Sequence, residues 1–325
     1  MIVPQYWAEA RVQHKQRGRQ ITLRRFGWSD ETQADAQANA DRRAQEALEQ
    51  VLAGKKLERS EPKIPYNGAE GIPIREEIVS RHGDTIITRN SYGARCLNTP
   101  DVLFVDIDFP DSPPLRFTFS VFVLLQLCAI AAGYFNHSKF IGIAFAILSL
   151  LFFSAVSGEL YRLVLKMKGG IERLTSDRID QFLSKHPDWN LRIYKTPAGM
   201  RVLVTHRIFS PAEPEVQQCF DALGADPMYA AMCRNQQCFR ARVSPKPWRI
   251  GIGDHMRPRP GNWPVAAERM PLRQAWIEKY EAAAKPYAAC TFIESKGSCV
   301  THVDVAAVVE LHDQMSRADR QLQIA

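Results

Sequence analysis

Several familiar signatures are missing from this chain of 325 residues. No G-x-x-x-x-G-K-[ST], no G-x-S-x-G and no H-E-x-x-H occurs. Those absences remove the phosphate-binding loop, the nucleophile elbow and the metalloprotease helix as sources of chemistry. Cysteine is scarce and scattered: Cys96, Cys128, Cys219, Cys233, Cys238, Cys290 and Cys299. An odd set spread this widely is no disulfide framework and fits reduced thiols in a cytosolic compartment. The spacings Cys233-x4-Cys238 and Cys290-x8-Cys299-x2-His302 match no common zinc pattern, so buried free thiols are expected. The opening MIVPQYWAEARVQHKQRGR holds no apolar core of signal-peptide length, and no cleaved leader is expected.

Charge is missing from two adjacent stretches. Phe117 to Phe135 runs 19 residues, and Phe140 to Val156 runs 17, without one charged side chain. A helix needs about 17–25 apolar residues to cross a bilayer. Both runs qualify as spans, and Asn136-His137-Ser138-Lys139 between them leaves room only for an antiparallel hairpin. The competing reading is a helical hairpin buried in a large soluble core. Arg116 precedes the first run, and Arg162, Lys166, Lys168 and Arg173 follow the second; the turn has Lys139 alone. That asymmetry puts both termini in the cytosol, on the inner face of a plasma membrane. No ionisable residue lies inside either run, which speaks for an anchor and against a proton path or transporter.

Basic and acidic residues are unevenly placed. Before Arg116, 16 basic residues face 17 acidic ones; from Ser157 onward 24 face 18. Between Arg234 and Arg259 lie Arg240, Arg242, Lys246, Arg249 and Arg257, opposed only by Asp254. Such a cluster favours an anionic partner: nucleotide, nucleic acid or anionic lipid. Phe239 and Trp248 among these residues suit base stacking. The plainer reading is a solvated basic face beside lipid headgroups. Candidate anion-binding residues are Arg201, Arg240, Arg242, Lys246 and Arg249.

Patterning divides the chain into five segments. Residues 1–60 read as a β-hairpin, with Lys15-Gln16-Arg17-Gly18 at its turn, followed by a helix from Asp30 to Leu52 capped by Ser29. That helix is polar on most faces and has Ala34, Ala38, Ala44, Leu48 and Val51 for packing. Residues 61–115 read as an irregular connector over 60–73 and then strands at Ile74–Val79, Thr85–Thr88 and Val102–Phe109. Residues 116–158 are the hairpin. Residues 159–250 give a helix at Ser176–His186, strands at Leu191–Thr196 and Arg201–His206, helices at Pro214–Leu223 and Tyr229–Cys233, and a strand at Cys238–Val243. Residues 251–325 form a largely helical extension, with helices at Leu272–Ala284 and Val303–Leu322 around a strand at Ala289–Ile293. With the hairpin set aside, the middle reads strand, helix, strand, strand, helix, strand. That is the split βαβ, ferredoxin-like (RRM-like) order of an α+β fold, with the membrane hairpin inserted in its first crossover.

One strand ends in two acids, Val105-Asp106-Ile107-Asp108. Residues i and i+2 of a strand share a face, and two carboxylates there repel unless a cation lies between them. Mg²⁺ or Mn²⁺ is the usual relief. The alternative is that both acids end the strand in water, near Arg201 or Lys195. A strand ending V-D-I-D-F-P on an RRM-like order resembles the catalytic palm of archaeo-eukaryotic primases. That resemblance covers Asp101 to Lys246 without the hairpin and implies a metal-dependent nucleotidyl- or phosphoryl-transferase, with Asp106 and Asp108 as metal ligands. The family's second motif carries a histidine where this chain has Arg201, with His206 further along. Its third motif carries an acid that Cys238–Val243 lacks; Asp226, Asp254 and Asp304 are the nearest candidates. More broadly, the chain resembles bacterial two-pass inner-membrane proteins.

Overall fold

A computed structural model describes residues 3–16, 19–57, 59 and 72–325. They fall into two compact units, residues 1–107 with 186–325, and residues 108–185. The architecture is mixed α+β, with antiparallel sheets and eight helices among the described residues.

The first unit opens with an antiparallel hairpin, β1 (Tyr6–Gln16) and β2 (Arg19–Ser29), in register from Tyr6–Ser29 to Gln16–Arg19. Arg17 and Gly18 of the expected turn, and nearly all of the expected connector at 60–73, lie outside the described residues. The helix α1 (Gln33–Leu52) starts later than its sequence indicates. Ser29 pairs with Tyr6 and stays in the strand, so Thr32 becomes the cap and accepts from Asp35 N at 3.1 Å. The buried face also differs from the expected one. Ala36, Ala40, Ala44, Ala47 and Leu48 face inward, while Ala34 and Ala38 are exposed. Gly27 explains the choice, because a Cβ there would overlap Ala40 N and Ala36 O. Glycine on the hairpin and alanine on the helix let the two backbones touch, packing Ala8 and Ala10 against Ala36, Ala40 and Ala44.

Along the chain follow β3 (Glu77–His82), β4 (Thr85–Arg89), β5 (Arg95–Thr99) and β6 (Phe104–Asp108). After the second unit come β7 (Asn190–Thr196) and β8 (Gly199–Val204). The remainder is α5 (Pro214–Leu223), α6 (Pro227–Gln236), β9 (Phe239–Arg242), α7 (Met270–Ala284), β10 (Tyr287–Ala288), β11 (Thr291–Gly297), α8 (Val303–Ser316) and β12 (Gln323–Ile324), where the numbering leaves α2 to α4 for the second unit. One four-stranded sheet has the order β11-β7-β8-β6 and the other β3-β4-β5-β9.

The strand at 238–243, expected beside its companions 102–109, 191–196 and 201–206, is therefore in a different sheet. As β9 it pairs with β5, from Cys96–Arg242 to Thr99–Phe239. The outer edge of β6 explains the departure. Its carbonyls alternate sides: Leu103 O accepts from Val204 N at 3.0 Å on the β8 side. On the other side Phe104 O accepts from the Tyr229 hydroxyl at 3.0 Å, and Asp106 O from Asp226 N at 2.9 Å. The start of α6 thus closes the edge that β9 would need. The Tyr229 hydroxyl also accepts from Arg240 N at 3.4 Å, so one phenol bridges β6 and β9 where a ladder would otherwise run.

Ion pairs fix α7 to the second sheet. Arg89 and Arg95 reach Glu281 at 3.0 and 3.5 Å, and Arg273 reaches Glu77 at 2.7 Å. Trp276 and Tyr280 of α7 stack at 5.4 Å within a cluster that includes Ile250, Ile252 and Met256.

The second unit holds α2 (Leu115–Phe135), α3 (Lys139–Met167) and α4 (Ile171–Lys185). Helices α2 and α3 are long and apolar enough to span a membrane. They form the expected hairpin, with Ser138 capping α3. Helix α3 continues past the apolar run through Glu159, Arg162 and Lys166, because nothing interrupts it before Gly169 and Gly170, both at positive φ. Gly133 and Gly142 face each other so closely that a Cβ on Gly133 would stand 3.0 Å from Gly142 Cα. Small residues at such a crossing let helices approach in the way membrane helices favour. Deeper in the hairpin Gln126 donates to Ser149 Oγ at 2.6 Å, and Phe122 meets Phe153 edge-on at 5.4 Å.

Candidate functional site

The first sheet carries a buried chain of acidic and basic side chains. Asp106 of β6 is two residues from the edge-capping Phe104, and Arg201 lies on neighbouring β8. Arg201 Nε donates to Asp106 Oδ1 at 2.7 Å and Nη2 to Oδ2 at 3.3 Å, a two-pronged pair. Arg201 Nη1 also donates to Arg242 O of β9 at 2.9 Å and lies 3.4 Å from His312 Nε2 of α8. His312 Nδ1 is 2.9 Å from Asp313 Oδ1, and Asp313 Oδ2 accepts from Arg192 of β7 at 2.6 Å. Arg192 Nε donates to the Tyr194 hydroxyl at 2.9 Å, and its guanidinium lies 4.2 Å over Phe292 of β11. Cys290 Sγ closes the cluster at 3.9 Å from His312 Nε2.

Arg201, His312 and Cys290 are buried, as is most of Asp313. Burial would lower the Arg201 pKa, but the Asp106 carboxylate outweighs it and holds the guanidinium above its ordinary value. At His312 burial again pulls down; the Cys290 thiolate and the Asp313 carboxylate outweigh it, and the net shift is upward. Cys290 shifts down: burial raises it, and the cation at His312 more than offsets that. Asp313 also ends below its ordinary value, since hydrogen bonding and charge from His312 exceed the desolvation. Tyr194 is pushed up by burial and by Asp313. The downward shift of Cys290 and the upward shift of His312 share one cause, the attraction between the two groups, and Asp313 adds to the second. Thiol, imidazole and carboxylate stand in the order of nucleophile, base and orienting group. Sealed from solvent, they act as a charge-balanced lock between α8, β7 and β8.

The residues singled out from sequence divide by location. Asp106 belongs to this lock, with Arg201 across both of its oxygens. Asp108 lies at the exposed end of β6. Among the described residues no three His, Cys, Asp or Glu side chains gather into a metal-sized group. Asp226 caps α6, Asp254 pairs with Lys279 at 3.1 Å, and Asp304 sits beside its own helix cap, His302. His206 packs between Trp189 and Phe209 rings and accepts no role beside Asp106; burial lowers its pKa.

The five candidate anion-binding residues do not form one face. Arg201 is spent on Asp106. Arg240 is buried, with Nη2 on Glu76 at 2.6 Å, and Glu76 also accepts from Thr88 Oγ1 at 2.6 Å. Arg242 donates to Ser244 O at 2.7 Å. Arg240 is buried in the body of the protein, while Arg242 is half-buried at the end of β9. Lys246 and Arg249 are half-buried and flank the exposed Trp248; Lys246 Nζ is 5.5 Å from that ring, and Tyr92 meets it edge-on at 5.2 Å.

Sequence reading missed Cys290 with His312 and Asp313. Cys290 is the buried free thiol that its spacing led one to expect, but its neighbour comes from one turn before the end of α8. The available signal was His-Asp on the inward face of a helix otherwise buried through Val305 and Val308.

Two measurements probe the lock. Asp106→Ala strands a buried guanidinium without its anion and should cost about 3–5 kcal/mol in unfolding of the detergent-solubilised chain. Arg201→Met should cost less, because Asp106 keeps access to water. A larger loss from Arg201→Met than from Asp106→Ala would contradict the assignment.

The thiolate–imidazolium pair also sets a pH profile. Cys290, lowered in the fold, contributes stability above its unfolded pKa of about 8.5 and loses it as pH falls through the folded value. His312, raised, contributes below its unfolded pKa of about 6.5 and loses it as pH rises through the folded value. The Cys290 part is complete only above pH ~8.5 and the His312 part only below pH ~6.5, so Cys290→Ala should lose stability relative to the parent as pH rises towards ~8.5. Cys290→Ala should remove this component of the profile; superimposable parent and variant profiles would rule the ion pair out.

No family model matches the chain, and no curated protein or solved structure matches it either.

Proposed function

We propose that the protein is a two-pass inner-membrane protein with both termini in the cytosol, whose soluble body binds an anionic ligand or partner. The observation that carries the membrane part is where the apolar surface lies. Phe119, Ile130, Phe140 and Leu151 are each between 66% and 86% exposed, and most other large apolar side chains of α2 and α3 are exposed as well. A core hairpin of a soluble protein would be covered. An apolar surface this continuous has a stable home in lipid. The hairpin's few polar side chains fit that home: Gln126 and Ser149 satisfy each other. The basic residues outside the apolar runs set the orientation.

A ferredoxin-like origin for the soluble body is supported by the order β6-β8-β7, in which a later strand separates the two that flank the hairpin. The anionic partner is supported by Lys246 and Arg249 on either side of exposed Trp248, a cation–aromatic surface suited to phosphate and ring contact. The transferase reading has less support, since Arg201 already occupies Asp106 from two directions.

Reporter fusions at Gly54 and after Ala325 should both read cytosolic; a periplasmic signal from either would sink the hairpin topology. For the basic face, the full chain in neutral nanodiscs is titrated with a mixed-sequence single-stranded oligonucleotide. Lys246→Ala with Arg249→Ala should weaken binding several-fold at low salt, with the difference shrinking as salt rises. Equal binding of parent and variant at low salt would remove this face from consideration.

A further inference from the structure

A cavity of about 260 Å³ lies between the N-terminal hairpin and the 258–269 loop. Its lining includes Arg24, Arg75, Arg259 and Arg269, with Phe26 and Trp263 as flat walls. Among the described residues Glu9 is the one acid in the lining, and it is already committed. Glu9 accepts from Arg24 at 3.0 and 2.5 Å and from Arg11 at 2.7 Å. Burial raises its pKa, but those guanidinium contacts outweigh it and keep Glu9 ionised. Arg259 and Arg269 add further positive charge to the lining.

Each arginine is held differently. Arg24 is fixed by Glu9. Arg75 lies flat on Phe26 with its guanidinium 3.7 Å from the ring centre. Arg259 and Arg269 are exposed side chains, and no carboxylate among the described residues pairs with either. The nearby Asp254 gives its carboxylate to Lys279. Two positioned guanidinium groups and two exposed ones around one small cavity match the several oxygens of a phosphate, which arginine holds in forked pairs.

We propose that this cavity is a binding site for a small phosphate ester. Arg259 and Arg269 close on the phosphoryl oxygens, and Trp263 and Phe26 receive the carbon skeleton. The cavity is smaller than the roughly 300–1,000 Å³ of drug-sized ligand sites, which favours a compound of sugar-phosphate size. The same chemistry occurs free in solution and at the headgroup of a glycerophospholipid. This site uses none of the residues of the Lys246–Arg249 face and stands whether or not that face binds anything.

Glycerol 3-phosphate is the probe, titrated calorimetrically into the full chain in neutral detergent, with glycerol as the uncharged control. Glycerol 3-phosphate should bind saturably and glycerol should not. Arg259→Ala with Arg269→Ala should weaken binding at least tenfold, and the Lys pair at both positions should recover part of it. Both positions are exposed, so the variants should melt with the parent. Lys246→Ala with Arg249→Ala should bind the probe like the parent, which separates this site from the basic face. In nanodiscs, replacing phosphatidylcholine by phosphatidylglycerol should weaken the probe if headgroups fill the cavity and leave it unchanged if the ligand is soluble. No saturable binding of glycerol 3-phosphate, or equal binding by the Arg259/Arg269 double variant, would overturn the proposal.

Discussion

The buried guanidinium of Arg201 constrains more of the soluble body than any single hydrophobic contact. It reaches from β8 to the carboxylate on β6, the backbone of β9 and the imidazole on α8. A charge removed from water is tolerable only where partners surround it. Both four-stranded sheets and the last helix must therefore arrive together. Apolar packing would permit small slips among these elements; the forked geometry of the guanidinium permits few. Asp313 and Arg192 extend the same rule to β7, giving a row of charges that cancel in order across the sheet.

Tyr229 acts in a related way at the seam between the sheets. Its hydroxyl answers a carbonyl of β6 and an amide of β9, two groups that a continuous sheet would have paired directly. The phenol keeps the two strands near each other yet unpaired, and α6 supplies the cover that an open strand edge requires. Burial holds this hydroxyl protonated well past its ordinary range, so the donor is permanent.

How far the sequence could be read depended on the range of the forces involved. The apolar runs of α2 and α3 are local signals, and their hairpin was legible with its turn. Pro214 and Gly224 likewise bound α5 at the expected residues. The cap of α1 was misread because Ser29 has a second obligation, its ladder partner Tyr6, that lies outside the local window. The basic run around Arg240 looked like a surface because charge density is visible in sequence while burial is not. Glu76, which neutralises Arg240, is 164 residues away. Cys290 and His312 were invisible as a pair for the same reason. The two acids of β6 were legible as a feature, but which of them meets a cation, and that the cation is an arginine, depends on strand neighbours that no spacing encodes.

The position of the hairpin has a consequence for biosynthesis. Strands β6 and β8 are neighbours in the sheet, yet α2 and α3 are translated between them. During synthesis β6 emerges first and remains an unpartnered apolar strand while α2 and α3 are made. Only after α3 has passed does the ribosome deliver β7 and β8, and Arg201 with them. Closing the sheet is thus obliged to follow synthesis of both apolar helices, and a chain stopped between them would hold an open strand edge of the kind that drives aggregation.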